Sequence, residues 1–304
     1  MTPRLKGALI ALVGTTAWAT TGIFISYLLN HYSLAPLTLA FWRDLIVALT
    51  LLIGLAFIQP SALRIERRDI LFFLAYGSVG LAVFNGLWTY SVRFNGAAVA
   101  TVLVYCAPGF TALLAPWLLR EQLTHRKLLA VALSFGGCVL VANAYTVAAW
   151  RVNPIGIVVG LGTGLASAVY SLAGRWSSKR FASSWTVTTY GFLFAAGALA
   201  LTQIGQNPFS LGSAVDGWLI LAALAIGPSV LGFGLYTLSL RYLQASVAML
   251  IAALEPAFTA IMAVLLLAER MAAPQWLGAA LVLTAALLAQ GEPQEIVSSP
   301  AVGD

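Results

Sequence analysis

Apolar runs of about 20 residues follow one another along almost the whole chain, and each is long enough to cross a ~30 Å hydrocarbon core as a helix. Nothing constrains the fold more. The short segments between the runs carry the charges, prolines and glycines, and none is long enough to hold a soluble domain. Of the 304 residues 61% are hydrophobic and 9% charged, where a soluble protein carries about 25% charged residues. A membrane β-barrel would show segments of alternating polarity, and none is visible. The loop signals mark ten spans, at 5–30, 37–59, 69–93, 95–118, 128–146, 154–176, 183–204, 215–240, 244–267 and 273–290. The first run is too long for the core of a signal peptide and reads as a retained helix. The polar tail 291–304 reads as a disordered cytoplasmic segment.

Crossing ten times from the cytoplasm places twelve of the sixteen Lys and Arg residues in inside segments, which predicts both termini in the cytoplasm. The basic residues therefore set topology, and the net charge of +6 marks no nucleic-acid partner. Trp42, Trp117, Trp150, Trp176, Trp185, Trp218 and Trp276 fall near span ends, as interfacial anchors do. Cys106 and Cys138 lie inside apolar runs without a metal-type spacing.

The chain also repeats itself. Shifted by 148 residues, FNGLWTYSVRFNGAAVA (84–100) falls on GFGLYTLSLRYLQASVA (232–248) without a gap, and Pro108, Phe110, Thr111, Ala112 and Glu121 fall on Pro256, Phe258, Thr259, Ala260 and Glu269. A five-helix unit written twice must enter the membrane from opposite sides. The expected fold is an all-α membrane protein of ten transmembrane helices in two inverted five-helix repeats, 5–146 and 154–290. Such repeats form transporters with a site between the halves and alternating access; a duplicated structural or receptor scaffold is the alternative. Pro108 and Pro256 sit near the middle of spans four and nine, free the carbonyls of Val104 and Ala252, and read as hinges or as packing kinks. Small residues recur every fourth position at Gly156, Gly160, Gly164 and Ala168, and at Gly7, Ala11, Thr15 and Ala19, predicting close helix packing.

The segments APGFTALLAPWLLREQLTHRKLLAVALSFGGCVLVA and EPAFTAIMAVLLLAERMAAPQWLGAALVLTAALLAQ, with AWATTGIF and FWRDLIVAL ahead of them, resemble the two EamA repeats of the drug/metabolite transporter superfamily. The resemblance covers about residues 5 to 290. It implies ten helices and export of small metabolites, including amino acids, across a bacterial inner membrane. The overall likeness is greatest to bacterial aromatic amino-acid exporters. The first repeat has Ala107 where the second has Glu255, so the halves differ chemically.

Glu255 lies deep in its span, where a carboxylate costs about 2.5–3.5 kcal/mol and needs a partner. Three readings are open: it binds a substrate amine, carries a proton for coupling, or bonds a neighbouring helix. Trp18, Asn85, Trp88, Tyr170 and Tyr236 supply aromatic and amide groups near mid-span, and Tyr105 shares a helical face with Thr101. With Glu255 they are the candidate lining of a substrate cavity. Arg43 and Asp44 lie ~9 Å from a span end. Arg43 is expected to reach the interface as a structural anchor, with contact to a substrate carboxylate as the alternative, and the two, as sequence neighbours, to pair elsewhere. Glu121 and Glu269 read as loop-ordering residues. His31 and His125 fall in separate loops, GLGTG (160–164) lies inside a span, and no catalytic or metal motif appears. No cofactor is expected. Without a nucleotide motif, the drive is an ion gradient or the substrate's own. Drugs or organic cations are the alternative substrates.

Overall fold

The computed structural model describes residues 2–142, 144–146, 154–181, 183–207, 209, 211–267 and 272–290. Trp150, Glu269 and the tail 291–304 lie outside the described residues. Every regular element among those described is helical. In sequence order these are α1 (Pro3–Trp18), α2 (Thr21–His31), α3 (Pro36–Ile58), α4 (Ile70–Ala75), α5 (Val83–Val104), α6 (Ala107–Leu119) and α7 (His125–Val141). The second half of the chain forms α8 (Pro154–Arg180), α9 (Ser184–Leu201), α10 (Val215–Leu224), α11 (Gly232–Ser239), α12 (Ala245–Ala252), α13 (Glu255–Leu267) and α14 (Ala273–Gln290). Wider π-helical turns at Tyr76–Ala82 and Ala225–Leu231 join α4 to α5 and α10 to α11.

Among the described residues, seven helical stretches are long and apolar enough to cross a membrane: 3–31, 36–58, 67–96, 99–119, 154–180, 184–201 and 215–239. Shorter apolar helices cover 245–259 and 273–289. Large apolar side chains point outward, with Phe57 and Ile58 each 84% exposed, as helices apolar on all sides do in lipid. Local signals set the helix starts. Thr2 and Thr124 cap α1 and α7 by accepting from Leu5 N (3.3 Å) and Lys127 N (3.2 Å), and Pro36 opens α3.

Helix α5 contains a reversal. Gly96 has φ 72° and ψ 163°, a conformation that only glycine adopts without a Cβ clash. Before it the chain runs antiparallel to α8, with Phe94 and Asn95 against Gly156, Leu87 against Gly162 and Tyr76 stacked on Tyr170. After it the chain runs parallel to α8, with Leu103 against Gly160, and Val104 and Ala107 against Gly164. The glycine stripe of α8 is thus the surface on which this hairpin packs. In the same way Gly7 lies against Tyr242 and Leu243, which are Phe94 and Asn95 displaced by 148 residues.

Helices α7 and α14 cross with their backbones in close approach. A Cβ added to Gly278 would lie 2.6 Å from Gly137 O, and one added to Gly137 would lie 2.7 Å from Gly278 O. Neither backbone can yield without separating the helices. Gly278→Leu is expected to destabilise the protein by about 3 kcal/mol, read as a fall in melting temperature in detergent; an unchanged melting point would show that these helices are free to part.

The tryptophans divide. Trp117 is 88% exposed and Trp276 is 53% exposed, as anchors should be. Trp42 and Trp218 instead pack edge to face at 5.0 Å, and Trp185 covers Gly234, so these three build interior surface as well.

Candidate substrate cavity

Three helix breaks converge on the centre of the molecule: Ala19–Thr20 between α1 and α2, Tyr105–Cys106 between α5 and α6, and Ala253–Leu254 between α12 and α13. The last two are 148 residues apart. Pro108 and Pro256 are second residues of α6 and α13, where a missing N–H leaves nothing unpaired. The expected mid-helix kinks are therefore corrected: the helices stop and start again. The carbonyl of Ala252 lies 3.0 Å from Tyr105 Oη and shares its one proton with Glu255 Oε2. The break in α1–α2 follows from its threonines, which bond back to the preceding turn. Thr15 donates to Ala11 O at 2.8 Å and Thr20 to Ala17 O at 3.1 Å, and such bonds bend helices. The carbonyl of Ala19 accepts from Thr259 of α13 at 2.8 Å.

These breaks surround one cavity. Trp18, Asn85, Trp88, Tyr105, Tyr170, Tyr236 and Glu255 line it, joined by Thr21, Arg43, Phe84, Ser167, Phe233 and Met249. Thr101 does not, which corrects that expectation. Tyr105 N still donates to Thr101 O at 3.2 Å, so the two stand one helical turn apart, but only Tyr105, at the end of α5, reaches the cavity. Among the lining aromatics the sequence reading overlooks Phe84 and also Phe233. The 148-residue shift already places Phe233 on Asn85, just as it places Tyr236 on Trp88.

The cavity has an aromatic wall and two polar poles. Trp18 meets Phe233 and Tyr236 at centroid distances of 5.0 Å, and Tyr170 meets Phe233 at 5.7 Å. The hydroxyls of Tyr170 and Tyr236 are engaged by Thr237 (2.9 Å) and Ser171 (2.6 Å), which leaves ring surface for the interior. At one pole Glu255 opens α13, where the helix dipole favours a carboxylate, and its Oε2 accepts from Tyr105 Oη–H at 2.6 Å. At the other pole stand Arg43, Asp44 and Asn85. Arg43 is 1% exposed, so it points inward and does not reach the interface. It also pairs with its neighbour, Nε donating to Asp44 Oδ1 at 3.3 Å. Adjacent residues on a helix diverge at Cβ, but the long arginine side chain turns back. Asn85 Nδ2 donates to both Asp44 oxygens at 2.8 Å. The cavity volume is about 60 Å³, small beside the ~300 Å³ or more usual for a ligand site.

A model of the EamA-like transporter family matches residues 5–143 and again residues 154–290. The chain belongs to the EamA-like transporter family. This EamA-like protein is 25% identical over 292 residues to the uncharacterized inner membrane transporter YicL of Salmonella typhimurium, covering 93% of this chain and 94% of the relative. It is 28% identical over 247 residues to a probable terminal-alkyne amino-acid exporter of Streptantibioticus cattleyicolor, covering 74% and 80%. A solved crystal structure shares the fold with a TM-score of 0.77 at 19% identity, covering 93% of this chain and 96% of the other. The EamA-like chain is thus a multi-pass membrane protein, and a transporter rather than an enzyme. Among the described residues, no group of three or more His, Cys, Asp or Glu could hold a metal ion.

Proposed function

We propose that this EamA-like transporter exports small metabolites, foremost amino acids with apolar or aromatic side chains, across a bacterial inner membrane. Export proceeds by alternating access between two inverted repeats, 5–146 and 154–290, that contribute five spans each, with both termini in the cytoplasm. The observation that carries this reading is the central cavity, where an aromatic wall faces a carboxylate at a helix break. A ring stacks on the wall, and a protonated amine pairs with Glu255. The architecture is supported by the breaks at Tyr105–Cys106 and Ala253–Leu254 and by the Gly7 and Gly156 contacts, which recur within one residue of the spacing of the sequence repeat. The amino-acid exporter among the relatives points the same way. Opening toward either face must enlarge the cavity, since a ligand site of about 300 Å³ or more is usual.

The test is flux into liposomes containing only the purified protein, using labelled phenylalanine, leucine and glutamate with and without an imposed proton gradient. Uptake of the first two, with little glutamate, is the expected result. Uptake without a gradient identifies a facilitator, and uptake only with one identifies proton coupling. The second reading, export of organic cations or drugs, draws on Glu255 alone; transport of such cations without any amino-acid flux would establish it in place of the first.

A further inference from the structure

We infer that the Arg43 end of the cavity is a carboxylate-binding subsite, so that the preferred substrate is a whole α-amino acid held by both of its charged groups. The inference rests on the reading of the cavity as the substrate site. Four residues lining it carry buried polar atoms without a hydrogen-bond partner among the described residues: Arg43 Nη2, Trp18 Nε1, Thr21 Oγ1 and Asn85 Oδ1. Leaving a buried polar atom unpaired costs about 1–3 kcal/mol, more for a charged group, so their concentration at one place points to a ligand that satisfies them.

The chemistry of the set selects the ligand group. Arginine and tryptophan nitrogens only donate, and the threonine hydroxyl can donate as well. A carboxylate offers only acceptors, and a guanidinium matches it in plane. Arg43 is not used up by Asp44, whose two oxygens are held at 2.8 Å by Asn85 while Arg43 Nε stands at 3.3 Å. That same contact fixes the Asn85 amide with its nitrogen toward Asp44, which leaves Oδ1 as the one atom of the four that can only accept. Glu255, across the cavity, is the group left for the ammonium. A zwitterion also adds no net charge to a buried site, whereas a phosphate dianion would face a guanidinium already paired with a carboxylate.

The test uses purified protein in liposomes and three competitors of labelled phenylalanine counterflow: phenylalanine, 2-phenylethylamine, which lacks the carboxylate, and 3-phenylpropionate, which lacks the amine. Wild type should prefer phenylalanine to 2-phenylethylamine by about tenfold or more, the range of a charge-assisted bond. Arg43→Gln should abolish that preference; a ratio is read because loss of folded protein scales both ligands equally. If this variant does not fold, Trp18→Phe with Thr21→Val decides. It removes two donors that bond nothing in the protein, so the melting temperature should hold while the preference falls several-fold. A preference unchanged in these variants, or wild type treating phenylalanine and 2-phenylethylamine alike, overturns the subsite but leaves an amino-acid transporter. Absence of phenylalanine counterflow in wild type overturns both readings.

Discussion

Glu121→Ala is expected to cost about 3–5 kcal/mol of stability, the range for leaving one member of a buried ion pair alone. Glu121 is 6% exposed just beyond α6. Its Oε1 accepts from the Ala245 N–H at 2.8 Å and its Oε2 from the Ser246 hydroxyl at 2.6 Å, at the start of α12. Lys127 Nζ, equally buried, lies 3.6 Å from Oε2 and has Gln122 O at 2.8 Å. One carboxylate thus caps a helix from another span and neutralises a buried ammonium. The alanine variant uncaps α12 and strands Lys127, whereas Glu121→Ala with Lys127→Met should recover part of the loss because the two sites are coupled. Thermal unfolding in detergent measures both. Additive losses would mean that the pair does not interact. The loop-ordering role read for Glu121 in the sequence has its geometry here.

The second large effect belongs to Glu255 and Tyr105. Glu255→Gln keeps an acceptor for the Tyr105 hydroxyl but removes the charge. Liposome uptake of phenylalanine should fall about tenfold or more, the cost of a charge-assisted contact, while the melting temperature stays close to wild type. Tyr105→Phe should do the opposite in part. It leaves the Ala252 carbonyl and the Glu255 carboxylate without their donor, so stability falls by about 1–3 kcal/mol together with uptake. If Glu255→Gln transports phenylalanine as wild type does, the carboxylate only ties α13 to its neighbour, and the amine must be bound elsewhere.

Much of this site was legible in the sequence. The 148-residue shift put Tyr105–Cys106 on Ala253–Leu254 and Pro108 on Pro256, and these are where the helices break. Seven of the eight residues chosen for the cavity line it, because aromatic and polar residues at mid-depth have few reasons to face lipid. What was hidden is rotation. In a chain apolar on every side, periodicity does not tell inward from outward, so Arg43 read as a residue that reaches the interface. The π turns ahead of Phe84 and Phe233 shift the register of the helices that begin there, and nothing local announces them. Thr101 stands one turn before Tyr105, as the spacing predicts, but a shared helical face does not say how far along the helix the cavity extends. The break at Ala19–Thr20 was written in its threonines but has no counterpart in the repeat to draw attention to it.

That missing counterpart has a kinetic meaning. The positions of Trp18, Ala19, Thr20 and Thr21, advanced by 149 residues, are Ser167, Ala168, Val169 and Tyr170, and there α8 runs unbroken for 27 residues. Two halves that traded conformations as equals would need α8 to break whenever α1–α2 straightened, yet at these positions α8 has no threonines to relieve the parted backbone. Under the proposed alternating access, the inward-open and outward-open forms would then differ in energy, and substrate would half-saturate the carrier at different concentrations on its two faces. In a passive carrier that inequality moves nothing uphill, because the maximal velocities in the two directions must differ by the same factor. It sets instead the face on which the empty carrier waits.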